Sequence, residues 1–526
     1  MLGFARKVIE RFEESDVSLI QALLVVFAII FARSFIEIFS DNGGQIVDHN
    51  HFFIHYPMFY FIALLSIILP LYFFTGEDMR KVSRVVLPFF MVIMVPPVAD
   101  LLISDGANMN YLYGTPSEMV KSYLAFAGTP ESSKASGGST WGIQMEGVLV
   151  LALCSIYVYV KKRSLLRVLG CCFTVYTLVF LLGWLPQTTA FVSDFLFQTG
   201  EFIKILNQYT FGIMRPASNK MALLLAPFTA VLVFLWGFLC DREKFTTLLR
   251  NVRPVRLGHY ISMMALGVVI GYLTFPQAFN WTPPFPYLVF FSMLASAALS
   301  WMTQVNVNDI FDVEADKITN RRRPLPSGSL NRRDFATFTA IYFFFSVFLA
   351  RIVSYPFFLV VIVSHAVATL YSMPPVRLKQ YPILSKMVIG LISLIAVFAG
   401  FVGVSPPQNL QGFPITAALF ILFGFGLSSH VIDLKDYESD KSGGVLSLPV
   451  LMGVENSKRV ISIFVALTFL ASPFVFNNTL LLIPALACAI FNIYAINRGD
   501  FNEILVFASY LGYSLIVLAS LLTHGL

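Results

Sequence analysis

Residues 308–324 read Asn308-Asp-Ile-Phe-Asp-Val-Glu-Ala-Asp-Lys-Ile-Thr-Asn-Arg-Arg-Arg-Pro324. Asn308, Asp312 and Asp316 recur every four residues. A helix places such a series on one face, because each step of four turns it by only about 40°. Lys317, Arg321, Arg322 and Arg323 follow, and Pro324 closes the run. An apolar helix predicted over 286–307 comes directly before, so these charges stand where a membrane span ends. Oxygen donors beside a cationic cluster suit an anionic ligand carried by a divalent metal. The stretch reads as half of a magnesium–diphosphate site, and the other half must lie elsewhere in the chain.

The rest of the chain is built for lipid. Of 526 residues, 57% are hydrophobic and only 13% charged, with a mean hydropathy of +0.75. A soluble domain carries about twice that charged fraction. Six apolar stretches of spanning length fall near 17–39, 52–74, 83–104, 143–161, 165–185 and 222–240. Nine more fall near 258–275, 286–307, 335–353, 356–373, 383–403, 413–432, 459–475, 479–496 and 503–523. The alternating pattern of a β-barrel is absent, and backbone groups in lipid must be paired internally. The expected fold is an all-α polytopic membrane protein: residues 1–240 as an N-terminal transmembrane domain, 241–256 as a basic linker, and 257–526 as a nine-helix bundle.

The net charge of +6 does not signal nucleic acid, because most Lys and Arg fall in short loops. Basic loops around 80–84, 161–167, 242–256, 317–333 and 377–386 alternate with loops near 40–51, 276–285 and 404–412 that carry no Lys or Arg. That alternation predicts a cytoplasmic N-terminus, an external C-terminus and a cytoplasmic position for residues 308–324. The first apolar run, 17–32, has no convincing small-residue cleavage site and reads as a retained helix. The five cysteines lie in apolar segments without metal-ligand spacing and read as packing residues.

The second half of the site is residues 433–440, reading DLKDYESD. Asp433, Asp436 and Asp440 fall within about 60° of one another on a helix. They too follow an apolar span and share the predicted cytoplasmic side. A third piece is Tyr371-Ser-Met-Pro-Pro-Val-Arg-Leu-Lys379. There Arg377 and Lys379 can neutralise a departing pyrophosphate, Tyr371 and Ser372 offer hydroxyls, and the proline pair ends the helix. A lone acidic motif beyond a span is ordinarily a solvated membrane edge. Two such arrays on one side, with basic loops beside them, reverse that reading, since carboxylates near lipid are costly and mark function.

On these three motifs, residues 257–526 resemble the UbiA superfamily of intramembrane prenyltransferases. The resemblance implies a bundle whose central cavity opens laterally to lipid under a cytoplasmic cap. It implies Mg2+-dependent transfer of a prenyl group from its diphosphate to a lipophilic aromatic or lipid acceptor. Asn308, Asp312, Asp316, Asp433, Asp436 and Asp440 would hold the magnesium. Lys317, Arg321, Arg323, Arg377 and Lys379 are candidates for the phosphates, with Tyr371 and Ser372 at the leaving group. Which of Arg321, Arg322 and Arg323 turns inward stays open. Aromatic side chains would steady an allylic cation, and exclusion of water would protect it. The strings after the motifs are closer to the branch of chlorophyll synthases and archaeal geranylgeranylglyceryl phosphate prenyltransferases. The rival reading is a bundle without chemistry that binds or transports isoprenoids, which the intact acidic arrays oppose.

The resemblance does not extend to residues 1–250. There the patch Asp48-His-Asn-His-Phe-Phe-Ile-His55 offers His51 and His55 on one helical face, with Asp41 nearby. No third ligand is defined, so a polar loop entering a helix is preferred to a metal site. Arg33 and Glu37, four apart, are expected to pair, and Asp100, Glu146 and Glu201 are further charges in apolar surroundings. His430, one turn before Asp433, reads equally as a cavity residue and as a packed one.

Overall fold

A computed structural model describes residues 2–42, 51–104, 116–125, 140–198, 217–276, 284–406 and 410–524. Among them, fifteen helices are long and apolar enough to cross a membrane, and no strand occurs. They fall into two compact units, one mostly of residues 1–245 and the other mostly of residues 246–526.

The first unit contains six of the fifteen. They are α1 (Leu19–Asn42), α2 (Tyr56–Thr75), a bent span made of α3 (Met79–Phe89) and α4 (Val95–Ser104), α5 (Trp141–Lys162), α6 (Leu165–Gly183) and α7 (Ala217–Cys240). Ahead of them an amphipathic helix, Leu2–Glu13, is pinned by Glu13. Its carboxylate accepts from Lys161 at 2.7 Å and from the Tyr157 hydroxyl at 3.2 Å. Asp100 caps the start of α5, accepting from the Gly142 amide at 2.7 Å and from the Thr140 hydroxyl. Arg33 and Glu37 pair as their spacing predicts. The Nδ1 atoms of His51 and His55 lie 3.1 Å apart, and no group of three metal-ligating side chains converges among the described residues. Asp48, His49 and Glu201 lie outside the described residues, and so does most of the Ser/Gly-rich connection at 131–140.

The second unit contains nine: α8 (Pro254–Thr274), α9 (Phe285–Phe311), α10 (Arg332–Val353), α11 (Tyr355–Ser372), α12 (Pro382–Val404), α13 (Ile415–Ser428), α14 (Val454–Val475), α15 (Leu482–Asn497) and α16 (Glu503–His524). Helices α8, α12, α13, α14, α15 and α16 follow one another around a ring that closes from α16 to α8, with α10 and α11 continuing from α12. Within residues 241–256, Arg242–Arg250 forms a short helix.

Close approach of α8 to α12 sets one wall of the ring. A Cβ on Gly267 would lie 1.8 Å from the Val397 carbonyl oxygen, and one on Gly400 would lie 1.9 Å from that of Met264. Small residues let membrane helices touch backbone to backbone, where packing replaces the hydrophobic drive. The obstructing atoms are main chain and cannot swing aside. Gly267→Ala or Gly400→Ala is therefore expected to force the two helices apart and to cost about 1–3 kcal/mol or more. Thermal unfolding of the detergent-solubilised protein reads that loss directly.

Candidate active site

Both acidic arrays and the basic loop line one cavity of about 880 Å3 in the second unit. The first array is carried across a helix break. Helix α9 ends at Phe311, Asp312 adopts φ −108°, and a short helix, Val313–Thr319, follows. The i to i+4 ladder nevertheless runs through the break. Asp312 donates its amide to Asn308, Asp316 to Asp312 and Asn320 to Asp316, at 3.0, 2.8 and 2.8 Å. The break therefore keeps the three predicted side chains stacked while giving Asp312 a conformation that a regular helix would deny it.

The second array opens on a 3-10 turn, Ser429–Ile432, and occupies the helix Asp433–Gly443. Gly444 ends that helix at φ 70° and returns its amide to Asp440. The basic loop leaves α11 at Ser372. Arg377 is held at φ 39°, in the left-handed region that residues with a Cβ rarely occupy. Such strain concentrates where a side chain must be aimed. Here it delivers the guanidinium to Asp312 Oδ1 at 3.0 Å.

Each acidic side chain of the first array faces a cation. Asp312 also accepts from Lys379, whose Nζ reaches Asn308 Oδ1 at 3.1 Å, and the Ser372 hydroxyl donates to the same oxygen at 3.2 Å. Asp316 pairs with Arg323 and accepts from Asn320 at 3.0 Å. Tyr371 lines the cavity beside these groups. Arg323 is thus the member of the Arg321–Arg322–Arg323 run that turns inward. Lys317 pairs outside with Glu314 at 2.8 Å, Arg321 donates back to the Lys317 carbonyl, and neither lines the cavity.

The second array differs. Asp433 pairs with Lys386 and lies 3.0 Å from His430 Nδ1, which places His430 behind Asp433 and outside the cavity lining. Among the described residues, neither Asp436 nor Asp440 has a cation within 4 Å. Burial pushes the Asp440 carboxyl up to about 6, and the charges of Asp433 and Asp436 add to the shift. Burial likewise raises Asp316 against the pull of Arg323, and lowers Lys379 against the pull of Asp312.

Several contributors have no motif to announce them. Lys386 opens α12 and meets Asp433 across 47 residues of sequence. Arg253, also in the left-handed region at φ 54°, pairs with the buried Asp309. Arg256 meets Glu503 at 3.1 Å, and Lys435 meets the same carboxylate at 2.6 Å. Farther into the bundle, Tyr260 and Trp301 line the cavity with ring centroids 4.9 Å apart. His259 lies edge-on to Tyr260 at 4.7 Å.

The donor set fits magnesium. Every candidate ligand is an oxygen, the preference of a hard cation that keeps waters and takes substrate phosphates as partners. No three acidic or histidine side chains converge among the described residues, so the metal would be completed by a bridging ligand rather than by a protein cage. The excess carboxylates of the second array supply the reason for a cation to enter. A group whose folded-state pKa is raised stabilises the fold fully below its unfolded value, near 3.8 for Asp440, and loses that contribution as pH rises through about 6. Asp440→Asn is accordingly expected to raise the unfolding temperature of metal-free protein at pH 7.5. The gain should shrink toward pH 5, and thermal unfolding in chelator at the two pH values checks it.

Residues 268–503 match the family described as the UbiA prenyltransferase family. Digeranylgeranylglyceryl phosphate synthase of Pyrococcus horikoshii is 26% identical over 208 residues, 39% of this chain and 72% of that protein. The protein of the same name from Thermococcus sibiricus is 25% identical over 233 residues, 44% of this chain and 76% of its own. A solved UbiA homolog from Archaeoglobus fulgidus, bound to GPP and Mg2+, covers 52% of this chain and 99% of its own at 21% identity, with a TM-score of 0.41.

Proposed function

We propose that this integral membrane protein, whose residues 268–503 match the UbiA prenyltransferase family, moves a prenyl group from its diphosphate to a lipophilic acceptor within the bilayer. The observation that carries the reading is the meeting of two acidic arrays and four cations, Arg323, Arg377, Lys379 and Lys386, on one cavity. Without ligand these cations rest on Asp316, Asp312 and Asp433. When a diphosphate enters, they exchange carboxylate for phosphate oxygens, and the freed carboxylates would be the ligands for Mg2+. Buried charges thereby stay compensated before and after binding, which spares the cost of an unpaired ion. Bound Mg2+ supplies neutralisation of the charge that grows on the leaving group.

The residues of the chain do the rest. Lys379 and Arg377 hold the terminal phosphates, and Ser372 with Asn308 orients the Lys379 ammonium. As the allylic carbon–oxygen bond breaks, pyrophosphate leaves with the bonding pair. The π faces of Tyr260 and Trp301 stabilise the cationic carbon. The acceptor oxygen or ring carbon donates a pair to that carbon and gives up its proton, for which the departing pyrophosphate is the nearest base. The names of the archaeal relatives favour a polar lipid alcohol over an aromatic acceptor, and a geranylgeranyl donor. The archaeal relatives favour a prokaryotic cytoplasmic membrane, and the alternating loop charges favour a cytoplasmic N-terminus and cytoplasmic acidic arrays with an external C-terminus. A screen of lipid-alcohol and quinone-precursor acceptors against radiolabelled geranylgeranyl and farnesyl diphosphates tests the assignment. An ether-linked product from a lipid alcohol is expected, and prenylation of the aromatic acceptors alone would overturn the choice of acceptor.

A further inference from the structure

The first unit holds a cavity of its own, about 230 Å3 in volume. It is long and narrow. Ile143 and Tyr157 both line it on α5, fourteen residues apart, so it runs roughly 20 Å along the span at about 1.5 Å per residue. So small a volume over that length admits one hydrocarbon chain and no second chain beside it. Ile67, Leu71, Phe89 and Ile93 make most of the wall apolar.

At one end Gln144 and Glu146 of α5 line the cavity with His55, Tyr56 and Tyr60, while Tyr157 at the other end gives its hydroxyl to Glu13. Arg33 pairs with Glu37 there and lies over the rings of Tyr56 and Tyr60, 5.2 and 4.8 Å from their centroids. The Tyr56 hydroxyl donates to Glu37 at 3.1 Å. Glu146 is different, since it makes no hydrogen bond or ion pair among the described residues while lining the cavity. A carboxyl group inside a span without a partner is costly and marks a ligand.

The surrounding charges select the head of that ligand. Arg33 and Glu37 compensate each other, and a carboxyl buried among apolar groups favours its uncharged form, so a head of either charge would enter the span unpaired. A neutral hydroxyl satisfies the Glu146 carboxyl without adding charge to the span. We propose that the first unit binds a single-chain lipid alcohol, with its chain along the cavity and its hydroxyl on Glu146. This site stands independently of the prenyl-transfer reading.

Photolabelling of the full chain in phosphatidylcholine nanodiscs, with a sixteen-carbon alcohol bearing a terminal diazirine, tests the proposal. Labelled peptides are expected from α2 and α5. Unlabelled hexadecanol should compete about tenfold better than hexadecane or palmitate, a difference of about one decade in affinity. Ala63→Phe, which fills the cavity from α2, should remove most of the label. Glu146→Ala should keep the label but erase the preference for the alcohol over hexadecane, which preserves a test if the bulkier variant does not fold. Absence of label on these helices, label that survives Ala63→Phe, or equal competition by hexadecane in the parent protein would each overturn it.

Discussion

Asp312→Asn is expected to lower kcat by about 10²–10³-fold, to raise the magnesium concentration needed for half activity, and to leave the unfolding temperature within a few degrees of the parent. The substitution keeps shape and removes one charge. Asp312 stands at the helix break, where it faces both Arg377 and Lys379. In the proposed reaction the same carboxylate must release those cations to the diphosphate and take up the metal. An amide does neither well, since it cannot neutralise a divalent ion and it binds an ammonium weakly. The fold survives because each cation keeps another partner. The Arg377 side chain is 42% exposed, so water replaces its lost contact, and Lys379 retains its hydrogen bond to Asn308. Steady-state release of pyrophosphate across a magnesium titration, with thermal unfolding on the same preparation, separates the two effects.

Three residues earlier in the same stretch, the expectation inverts. Asp309→Ala should cost about 3–5 kcal/mol of stability, and activity should fall only because folded protein is lost. Asp309 is 1% exposed and does not line the cavity. Its carboxylate takes Arg253, Arg323 at 3.2 Å and Asn251 at 3.2 Å, and so ties the start of α8 to the end of α9. Removing it leaves two guanidinium groups and a buried amide without their shared acceptor, the costly half of a broken buried ion pair. Yield and unfolding temperature in detergent measure the loss. Specific activity per folded molecule should stay within a few-fold of the parent.

The contrast between Asp309 and Asp312 shows what the chain discloses before it folds. On a helix, Asn308 and Asp309 point about 100° apart, so the four-residue period correctly gathers Asn308, Asp312 and Asp316 on one wall and excludes Asp309. The period does not say that Asp309 holds the wall up, because its partners Asn251 and Arg253 come from a stretch that looks like ordinary positive-inside charge. Lys386 is hidden for the same reason. In sequence it is one more lysine at a span edge, and only the approach of α12 to Asp433 gives it a role. The number of spans was legible because hydropathy over about twenty residues depends on nothing outside the segment. The choice among Arg321, Arg322 and Arg323 was not, because it follows from a turn in which the Arg323 amide bonds to the Asn320 carbonyl at 3.0 Å. In the first unit the pairing of Arg33 with Glu37 could be read from spacing, whereas the cavity that Glu146 faces is made by helices distant in sequence.

The most direct measurement is the stoichiometry of a single turnover. Purified full-length protein, geranylgeranyl diphosphate and a lipid-alcohol acceptor are mixed with and without Mg2+, and pyrophosphate and prenylated product are quantified together. One pyrophosphate released per prenylated lipid, with both abolished by chelator, is the result predicted. Tight binding of the prenyl diphosphate with no cleavage under any of these conditions would contradict the account and leave the bundle as a carrier of isoprenoids.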